Sequence, residues 1–273
     1  MKLSLSVLVC ALLKLCVAPF FDRIPPINET TKTCLVTGAS AGIGRELVKE
    51  MAARNWHVIG VARNEKKLNN LKAELGSCFT PCVCDVSDQN QVIAVSKKIK
   101  KQNLKPTLFF LNAGVGYRET QFEPVMEKHK TMFGVNYFGV VSWIDEWLQE
   151  VQAHGGGTFI ATSSVTSLFA DPGASGYSAT KAALNNCFQA LRLRYRKDNI
   201  GFVVALPGPV STDMLKIERP FTHSPSSDAR YIIKELLKRK KQIEPSWFYS
   251  CVCRMLHLLP DSLTGFLVRK QIS

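Results

Sequence analysis

A glycine-rich segment, Thr37-Gly38-Ala39-Ser40-Ala41-Gly42-Ile43-Gly44, carries the strongest signal in this chain. It follows a short β-like run at residues 32–36 and precedes residues 45–52, in which apolar side chains recur at helical spacing. This order predicts a strand, a tight turn and a helix. Gly38 allows the turn, Gly42 lets the backbone approach a pyrophosphate, and Gly44 permits close packing of the helix on the strand. Because free amides at a helix start attract phosphate charge, the stretch predicts a dinucleotide site; the alternative is an ordinary glycine-rich loop.

Three further apolar runs are typical of strands that are buried on both faces. They lie at residues 108–111, 159–162 and 201–206. Each is followed by residues suited to binding a ligand: Asn112-Ala113-Gly114, then Ser163-Ser164, then residues 207–212. Ligands bind at the carboxyl ends of the strands in open parallel sheets. A chain of 273 residues that alternates strands and helices, with 46% hydrophobic residues, therefore predicts one α/β domain with a site at this edge.

Tyr177 and Lys181 stand four residues apart on a predicted helix downstream of Ser164. Residues at this spacing share a helix face, with roughly 5–6 Å between their Cβ atoms, so the ammonium can favour the ionised phenol. A free tyrosine has a pKa of about 10, and a proton donor works best when its pKa is nearer the operating pH. We therefore expect Lys181 to lower the pKa of Tyr177 for proton transfer to a carbonyl. The alternative is a pair on a solvated helix face.

Together these motifs resemble the short-chain dehydrogenase/reductase family over roughly residues 31 to 240. They occur in the family's order, which is the glycine turn, Asp85, Asn112-Ala113-Gly114, Asn136, Ser164, Tyr177 with Lys181, and Pro207-Gly208. The resemblance implies a Rossmann-like, doubly wound parallel sheet in a single domain. It also implies an oxidoreductase that transfers a hydride between a nicotinamide dinucleotide and a C=O or CH–OH group.

The resemblance assigns four catalytic residues. Tyr177 is expected to be the general acid/base, and Lys181 to bind the nicotinamide ribose and lower the tyrosine pKa. Ser164 is expected to orient the substrate carbonyl, and Asn136 to hold a water that links the lysine to solvent. Ser163 is the rival for the serine role, and either hydroxyl could merely cap a strand end. Asn136 could instead be a buried asparagine that braces its helix.

The resemblance also implies a set of cofactor-binding residues. Asp85 is expected to meet the adenine amino group; alternatively it is a turn residue in a segment that is also typical of a helix N-cap. No metal is expected. The full set is Gly38, Ser40, Gly42, Ile43, Gly44, Arg63, Asp85, Asn112, Ala113, Gly114, Tyr177, Lys181, Pro207, Gly208, Val210 and Thr212.

The end of the second predicted strand favours NADP(H) over NAD(H). An acidic side chain there would hydrogen-bond the ribose 2′-hydroxyl and repel a 2′-phosphate, but this chain has Ala62 and then Arg63. Arg63 can offer a planar fork of donors to the phosphate, and Ser40 can add a hydroxyl. The alternative is an arginine that only faces solvent.

The formal net charge of +13 is compatible with nucleic-acid binding. The sequence, however, contains no zinc-finger spacing, basic-aromatic strand motif or recognition-helix signature. The charge instead favours a surface that faces anionic lipid and an anionic cofactor. The nine cysteines show no convincing metal spacing, and we expect reduced thiols.

The first 24 residues are predicted to be a hydrophobic anchor or signal, because residues 3–21 are mostly apolar and about as long as a bilayer core requires. Pro19 directly after the candidate cleavage point argues against a cleaved signal peptide. We expect an uncleaved anchor in the endoplasmic reticulum membrane. The alternative is a luminal or secreted protein, in which the Asn28 sequon would become usable.

The catalytic domain is expected over residues 31–240, followed by a basic, amphipathic tail at 241–273. The tail mixes aromatic and aliphatic residues with cations, which is typical of a membrane-surface element. The alternative is a helical pair packed on the enzyme's own body or on the other subunit of a homodimer. Leader and tail together resemble the membrane-anchored members of the family, such as hydroxysteroid dehydrogenases and the dehydrogenase/reductase member 7 branch.

The expected substrate is the carbonyl of a lipophilic molecule, a steroid, retinoid or lipid ketone, reduced with NADPH. The predicted lid at 213–228 is apolar at Met214, Leu215, Ile217 and Phe221, although charged residues interrupt it. Two alternatives remain at this point. One is an NAD-dependent alcohol dehydrogenase of the same family, and the other is a non-catalytic dinucleotide-binding membrane protein.

Overall fold

The computed structural model describes residues 23–214 and 220–268. The predicted leader up to residue 22, residues 215–219 of the predicted lid and residues 269–273 of the tail lie outside this range. In the described part of the chain, seven strands form one sheet, and every neighbouring pair is parallel. The strands are β1 (Thr33–Thr37), β2 (His57–Ala62), β3 (Phe79–Val83), β4 (Leu108–Leu111), β5 (Gly157–Thr162), β6 (Ile200–Ala205) and β7 (Gln242–Ile243).

Helices connect the strands, as parallel pairing requires. A π-helical turn at Gly134–Phe138 joins two of them, and 3₁₀ turns lie at Gly76–Cys78 and Val165–Ser167. The α-helices are α1 (Gly42–Ala52), α2 (Glu65–Leu75), α3 (Gln89–Lys101), α4 (Met126–Phe133), α5 (Gly139–Ala153), α6 (Ser175–Arg194), α7 (Pro225–Leu237), α8 (Trp247–His257) and α9 (Asp261–Val268).

The strand order is β3-β2-β1-β4-β5-β6-β7, so the winding of the chain reverses between β1 and β4. A crevice at the carboxyl ends of the strands is expected at such a switch point. This order confirms the predicted Rossmann-like, doubly wound sheet in a single domain.

Two apolar clusters cover the two faces of the sheet. Successive residues of a strand point to opposite faces, so Val36 packs with Leu47 of α1 on one face, while Leu35 packs with Trp143 of α5 and Phe188 of α6 on the other. All five side chains are fully buried. Burial on both faces explains why the strands appear in the sequence as continuous apolar runs.

The predicted tail begins within the sheet, because β7 pairs with β6. The α8 helix then packs on the rest of the domain. The Arg254 guanidinium donates to a carboxylate oxygen of Glu244 at 2.9 Å, and the Tyr249 hydroxyl donates to the carbonyl of Pro220 at 2.5 Å. None of the helices within residues 23–214 and 220–268 has the length and apolar character needed to cross a bilayer.

Candidate active site

A cavity of about 1080 Å³ lies at the carboxyl ends of the strands. It is lined by residues that follow β1 to β6, together with residues of α6 and α8. Every site residue that we predicted from the sequence lines this cavity, with the exception of Gly44 and Asn136.

The glycine turn has the geometry that a bound phosphate needs. Gly38 and Gly42 adopt φ angles of +69° and +54°, which favour glycine. A Cβ atom on Gly44 would lie 2.3 Å from the carbonyl oxygen of Gly38, so the helix start packs directly on the turn. The N-cap residue Ala41 gives the first turn of α1 no side-chain hydrogen bond. These residues therefore fit the pyrophosphate of a dinucleotide.

Thr37 connects the glycine turn to the next strand end. Its hydroxyl accepts hydrogen bonds from the amides of Asn112 at 2.9 Å and Ala113 at 3.0 Å. The Asn112 side chain accepts a hydrogen bond from the Thr162 hydroxyl at 3.1 Å. The ends of β1, β4 and β5 are thus held together. Neither threonine is among the site residues that we predict from the sequence, although Thr37 is the first residue of the glycine-rich segment at 37–44.

Tyr177 and Ser164 both line the cavity. Burial raises the pKa of Tyr177, whereas the hydrogen bond with the Ser164 hydroxyl lowers it. We expected Lys181 to lower this pKa. In the structure the pKa of Tyr177 is instead raised, because burial outweighs the Ser164 hydrogen bond, and the Lys181 ammonium lies 5.5 Å from the centre of the tyrosine ring.

Lys181 is almost fully buried, and burial lowers its pKa to about 8. Its Nζ donates a hydrogen bond to the carbonyl oxygen of Thr162 at 2.7 Å. The ammonium is therefore held at the end of β5, on the wall of the cavity.

The two candidate serines differ in what their side chains contact. The Ser163 hydroxyl donates to the carbonyl oxygen of Lys181 at 3.1 Å and so braces α6. The Ser164 hydroxyl accepts from the amide of Thr166 at 3.2 Å and is the one that meets Tyr177. This geometry favours Ser164 for the role at the substrate carbonyl.

Asn136 lies in the π-helical turn and is fully buried. Its side chain accepts from the amide of Val115 at 2.8 Å, and donates to the Val115 carbonyl at 2.9 Å and to the Thr180 hydroxyl at 3.1 Å. These contacts match the bracing role that we gave as its alternative. A Cβ atom on Gly114 would lie 3.4 Å from the Asn136 Oδ1 and 3.5 Å from the Lys181 Nζ, so the amide also lies near the ammonium.

Arg63 and Asp85 line the cavity just after the ends of β2 and β3. Arg63 is largely exposed, with Nη1 3.6 Å from Oδ2 of Asp85. Burial raises the pKa of Asp85, but hydrogen bonds from Ser87 and the charge of Arg63 outweigh it and hold this pKa below its usual value. Asp85 lies in a turn, and Asp88 is the residue that caps α3.

Comparison with known proteins agrees with this geometry. The sequence model of the short chain dehydrogenase family matches residues 32–222 of this chain. Benzil reductase ((S)-benzoin forming) IRC24 of Saccharomyces cerevisiae is 29% identical over 87% of this chain and 95% of its own. A fatty acyl-CoA reductase of Acinetobacter baylyi is 30% identical over 79% and 76%. Dehydrogenase/reductase SDR family member 7B of Mus musculus is 30% identical over 66% of this chain and 58% of its own length.

Solved structures share the fold. A short-chain dehydrogenase/reductase from Burkholderia phymatum in complex with NAD has a TM-score of 0.75 at 19% identity, covering 87% of this chain and 95% of its own. One from Burkholderia cenocepacia in complex with NADP also has a TM-score of 0.75, at 21% identity, covering 86% and 96%.

The chain belongs to the short-chain dehydrogenase family. It is an oxidoreductase that acts on CH–OH or C=O groups with a nicotinamide dinucleotide, and its relatives include the member 7 branch that the sequence resembles.

Proposed function

We propose that this enzyme uses NADPH to reduce the carbonyl of a lipophilic substrate, a steroid, retinoid or lipid ketone, at the endoplasmic reticulum membrane. The observation that carries the proposal is the cavity at the carboxyl ends of the strands, which gathers Ser164, Tyr177 and Lys181 with the glycine turn and Arg63. The test is turnover by the membrane fraction against a panel of lipid ketones and alcohols with each cofactor.

A bound dinucleotide would supply the hydride for the carbonyl carbon. Tyr177 would give its proton to the carbonyl oxygen, and Ser164 would donate a hydrogen bond to the same oxygen and then to the phenolate that forms. Lys181 would hold the nicotinamide ribose, and its ammonium would stabilise that phenolate. Asn136 keeps the loop after β4 in place and holds a water beside Lys181.

Support for NADP(H) comes from the end of β2. Ala62 ends the strand without a carboxylate, and Arg63 follows at the edge of the cavity, where Ser40 also lies. A guanidinium at this place can form charge-assisted hydrogen bonds to a 2′-phosphate. Arg63 Nη1 lies 3.6 Å from Oδ2 of Asp85, so the guanidinium extends along the edge at which β2 and β3 end.

We expect the wild-type protein to bind NADPH more tightly than NADH in a fluorescence titration. Arg63→Gln should weaken NADPH binding by roughly tenfold and leave NADH binding unchanged, because one charge-assisted hydrogen bond is lost. Adding Ala62→Asp should reverse the preference. Lys66→Gln is the matched control, since Lys66 is exposed and does not line the cavity. Equal affinities of the wild type for both cofactors would refute the role of Arg63.

Support for a lipophilic substrate comes from the opposite end of the cavity. Val165, Phe169, Met214, Val252 and Leu256 line it there, and the last two belong to α8. A wall of aliphatic and aromatic side chains gains free energy by taking an apolar molecule out of water.

Support for a membrane surface comes from the rim beside this end. Phe221 is 71% exposed, Trp247 is 68% exposed and Phe248 is 48% exposed, and the rings of Phe221 and Phe248 lie 5.5 Å apart. Leu258, which directly follows α8, and Phe266 of α9 are also exposed apolar side chains. Aromatic side chains grouped with cations are typical of helices that lie in the bilayer interface.

We expect the full-length protein to stay in the pellet after an alkaline carbonate wash, with an N-terminus near Met1. Deletion of the leader should leave weak, salt-sensitive binding to anionic vesicles, because one apolar face with a few cations gives reversible attachment only. A soluble mature protein that starts close to Pro19 would instead establish a secretory signal. A glycan on Asn28 would then have to replace a hydrogen bond that its amide now donates to His154 or Gly156.

A further inference from the structure

The helix that carries the catalytic pair does not cap its own N-terminus. Its N-cap residue is Ala174, which has no side chain that can accept a hydrogen bond from the first turn. Tyr177 is the third residue of α6, so it lies in that first turn. The amides of a first turn have no partner within the helix, and a turn without a cap frays readily. The position of the Tyr177 phenol therefore depends on whatever binds these amides.

Glu119 supplies the missing cap from a different part of the chain. Its Oε2 accepts hydrogen bonds from the Ser175 amide at 3.1 Å and the Ser175 hydroxyl at 2.6 Å. Its Oε1 accepts from the Gly176 amide at 2.9 Å and lies 3.1 Å from Nε2 of His129. The side chain is only 9% exposed. A carboxylate at the positive end of a helix is also stabilised by the helix dipole.

The backbone beside Glu119 is attached to the same region. The Glu119 amide donates to the carbonyl oxygen of Gly173 at 2.9 Å, and the Arg118 guanidinium donates to Asp171 at 2.8 Å. A Cβ atom on Gly116 would lie 3.4 Å from the Tyr177 ring, so this loop packs against the phenol itself. The loop between β4 and α4 and the first turn of α6 thus form one unit on the substrate side of the cavity.

The carboxylate form of Glu119 is the one that the site favours. Burial raises the pKa of Glu119, but hydrogen bonds from Ser175, Gly176 and His129 outweigh this effect and hold the pKa below its usual value. An ionised carboxylate accepts every bond that the cap requires.

We propose that Glu119 is a positioning residue, whose carboxylate holds the first turn of α6 so that the Tyr177 phenol stays against Ser164 and the substrate carbonyl. The proposal rests on the proposed function, because Tyr177 must be the proton donor for the position of its phenol to matter. Glu119 lies in the loop between β4 and α4, outside the helix that carries Tyr177. In this proposal it nevertheless affects the rate of carbonyl reduction.

The test compares Glu119→Ala, Glu119→Gln and Glu123→Ala in the full-length protein. Glu123 is the matched control because it lies in the same loop and carries the same charge, but its carboxylate contacts Thr120 and Lys128 and not α6. Glu119→Gln keeps the shape and one acceptor oxygen. The measurements are hydrogen–deuterium exchange of the amides at 174–178, NADPH affinity, and the single-turnover rate constant of NADPH oxidation with a carbonyl that the wild type reduces.

In Glu119→Ala we expect faster exchange at 174–178, nearly unchanged NADPH affinity, and a single-turnover rate constant that is lower by roughly 10- to 100-fold, because small misplacements of a catalytic group are costly. Glu119→Gln should recover most of this loss, and Glu123→Ala should match the wild type in all three measurements. A merely structural role would lower the amplitude of the single turnover, through loss of folded enzyme, but not its rate constant.

Two results would overturn the proposal. One is unchanged exchange at 174–178 in Glu119→Ala, and the other is an unchanged rate constant in the molecules that remain folded. If the wild type reduced no carbonyl of the panel, the proposed function would fail, whereas the exchange measurement would still decide whether Glu119 holds the helix.

Discussion

Tyr177→Phe is expected to lower turnover by about 10²- to 10⁴-fold, which is the usual contribution of a positioned proton donor. The substitution removes the hydroxyl that Ser164 contacts and keeps the ring that packs against the loop at Gly116. NADPH binding should be largely kept, because the glycine turn and Arg63 are unchanged. The measurements are steady-state NADPH oxidation and a separate NADPH binding titration.

Tyr231→Phe is the matched control for this variant. Tyr231 lies in α7, is 37% exposed and does not line the cavity, so its loss of a hydroxyl should leave turnover unchanged. Near-normal turnover by Tyr177→Phe would refute the assigned mechanism. Loss of both turnover and NADPH binding would indicate damage to the fold rather than loss of a proton donor.

Gly44→Ala is expected to reduce both stability and cofactor binding. The added methyl group would lie 2.3 Å from the Gly38 carbonyl oxygen and 2.5 Å from Nδ2 of Asn112, and a backbone oxygen cannot turn away as a flexible side chain can. Forcing α1 away from the turn should cost about 1–3 kcal/mol of unfolding free energy, as overpacking of a core usually does. It also moves the amides that face the pyrophosphate, so NADPH affinity should fall with it.

Urea denaturation and NADPH titration measure these two losses. Gly134→Ala provides the control, because a Cβ atom there would meet only the Cβ of Ser87, at an ordinary contact distance of 3.6 Å. If Gly44→Ala had wild-type stability and affinity, the close packing of α1 on the turn would not be what requires a glycine at this position.

Most of the architecture could be predicted from local patterns. The apolar runs correspond to β1, β4, β5 and β6 within two residues at each end, because strands that are buried on both faces need continuous apolar sequence. The short β7 carries no such signal. Its two residues lie in the segment 241–273, which we predict from the sequence to be the tail. Only the pairing with β6 identifies them as a strand.

The site could be predicted where its residues follow a strand or share a helix face. The cavity gathers Ser164, Tyr177 and Lys181, as their spacing led us to expect. The predicted lowering of the Tyr177 pKa was wrong. Burial raises this pKa by more than the Ser164 contact lowers it, and the spacing of residues on a helix does not show how deeply a side chain is buried. Glu119 was missed altogether, because its partners at 175 and 176 are more than fifty positions away in the chain.

Local sequence patterns were enough to predict the alternation of strands and helices, the glycine turn, the residue types proposed for catalysis and the absence of an acid at the end of β2. These features depend on a few neighbouring residues, whose backbone and side-chain preferences act over a turn or a strand. Three features became visible only in the folded chain: which serine meets Tyr177, where the Lys181 ammonium is held, and which carboxylate caps α6. Hydrogen bonds and desolvation act over a few ångströms of space, and folding brings distant residues to those distances without leaving any periodic mark in the sequence.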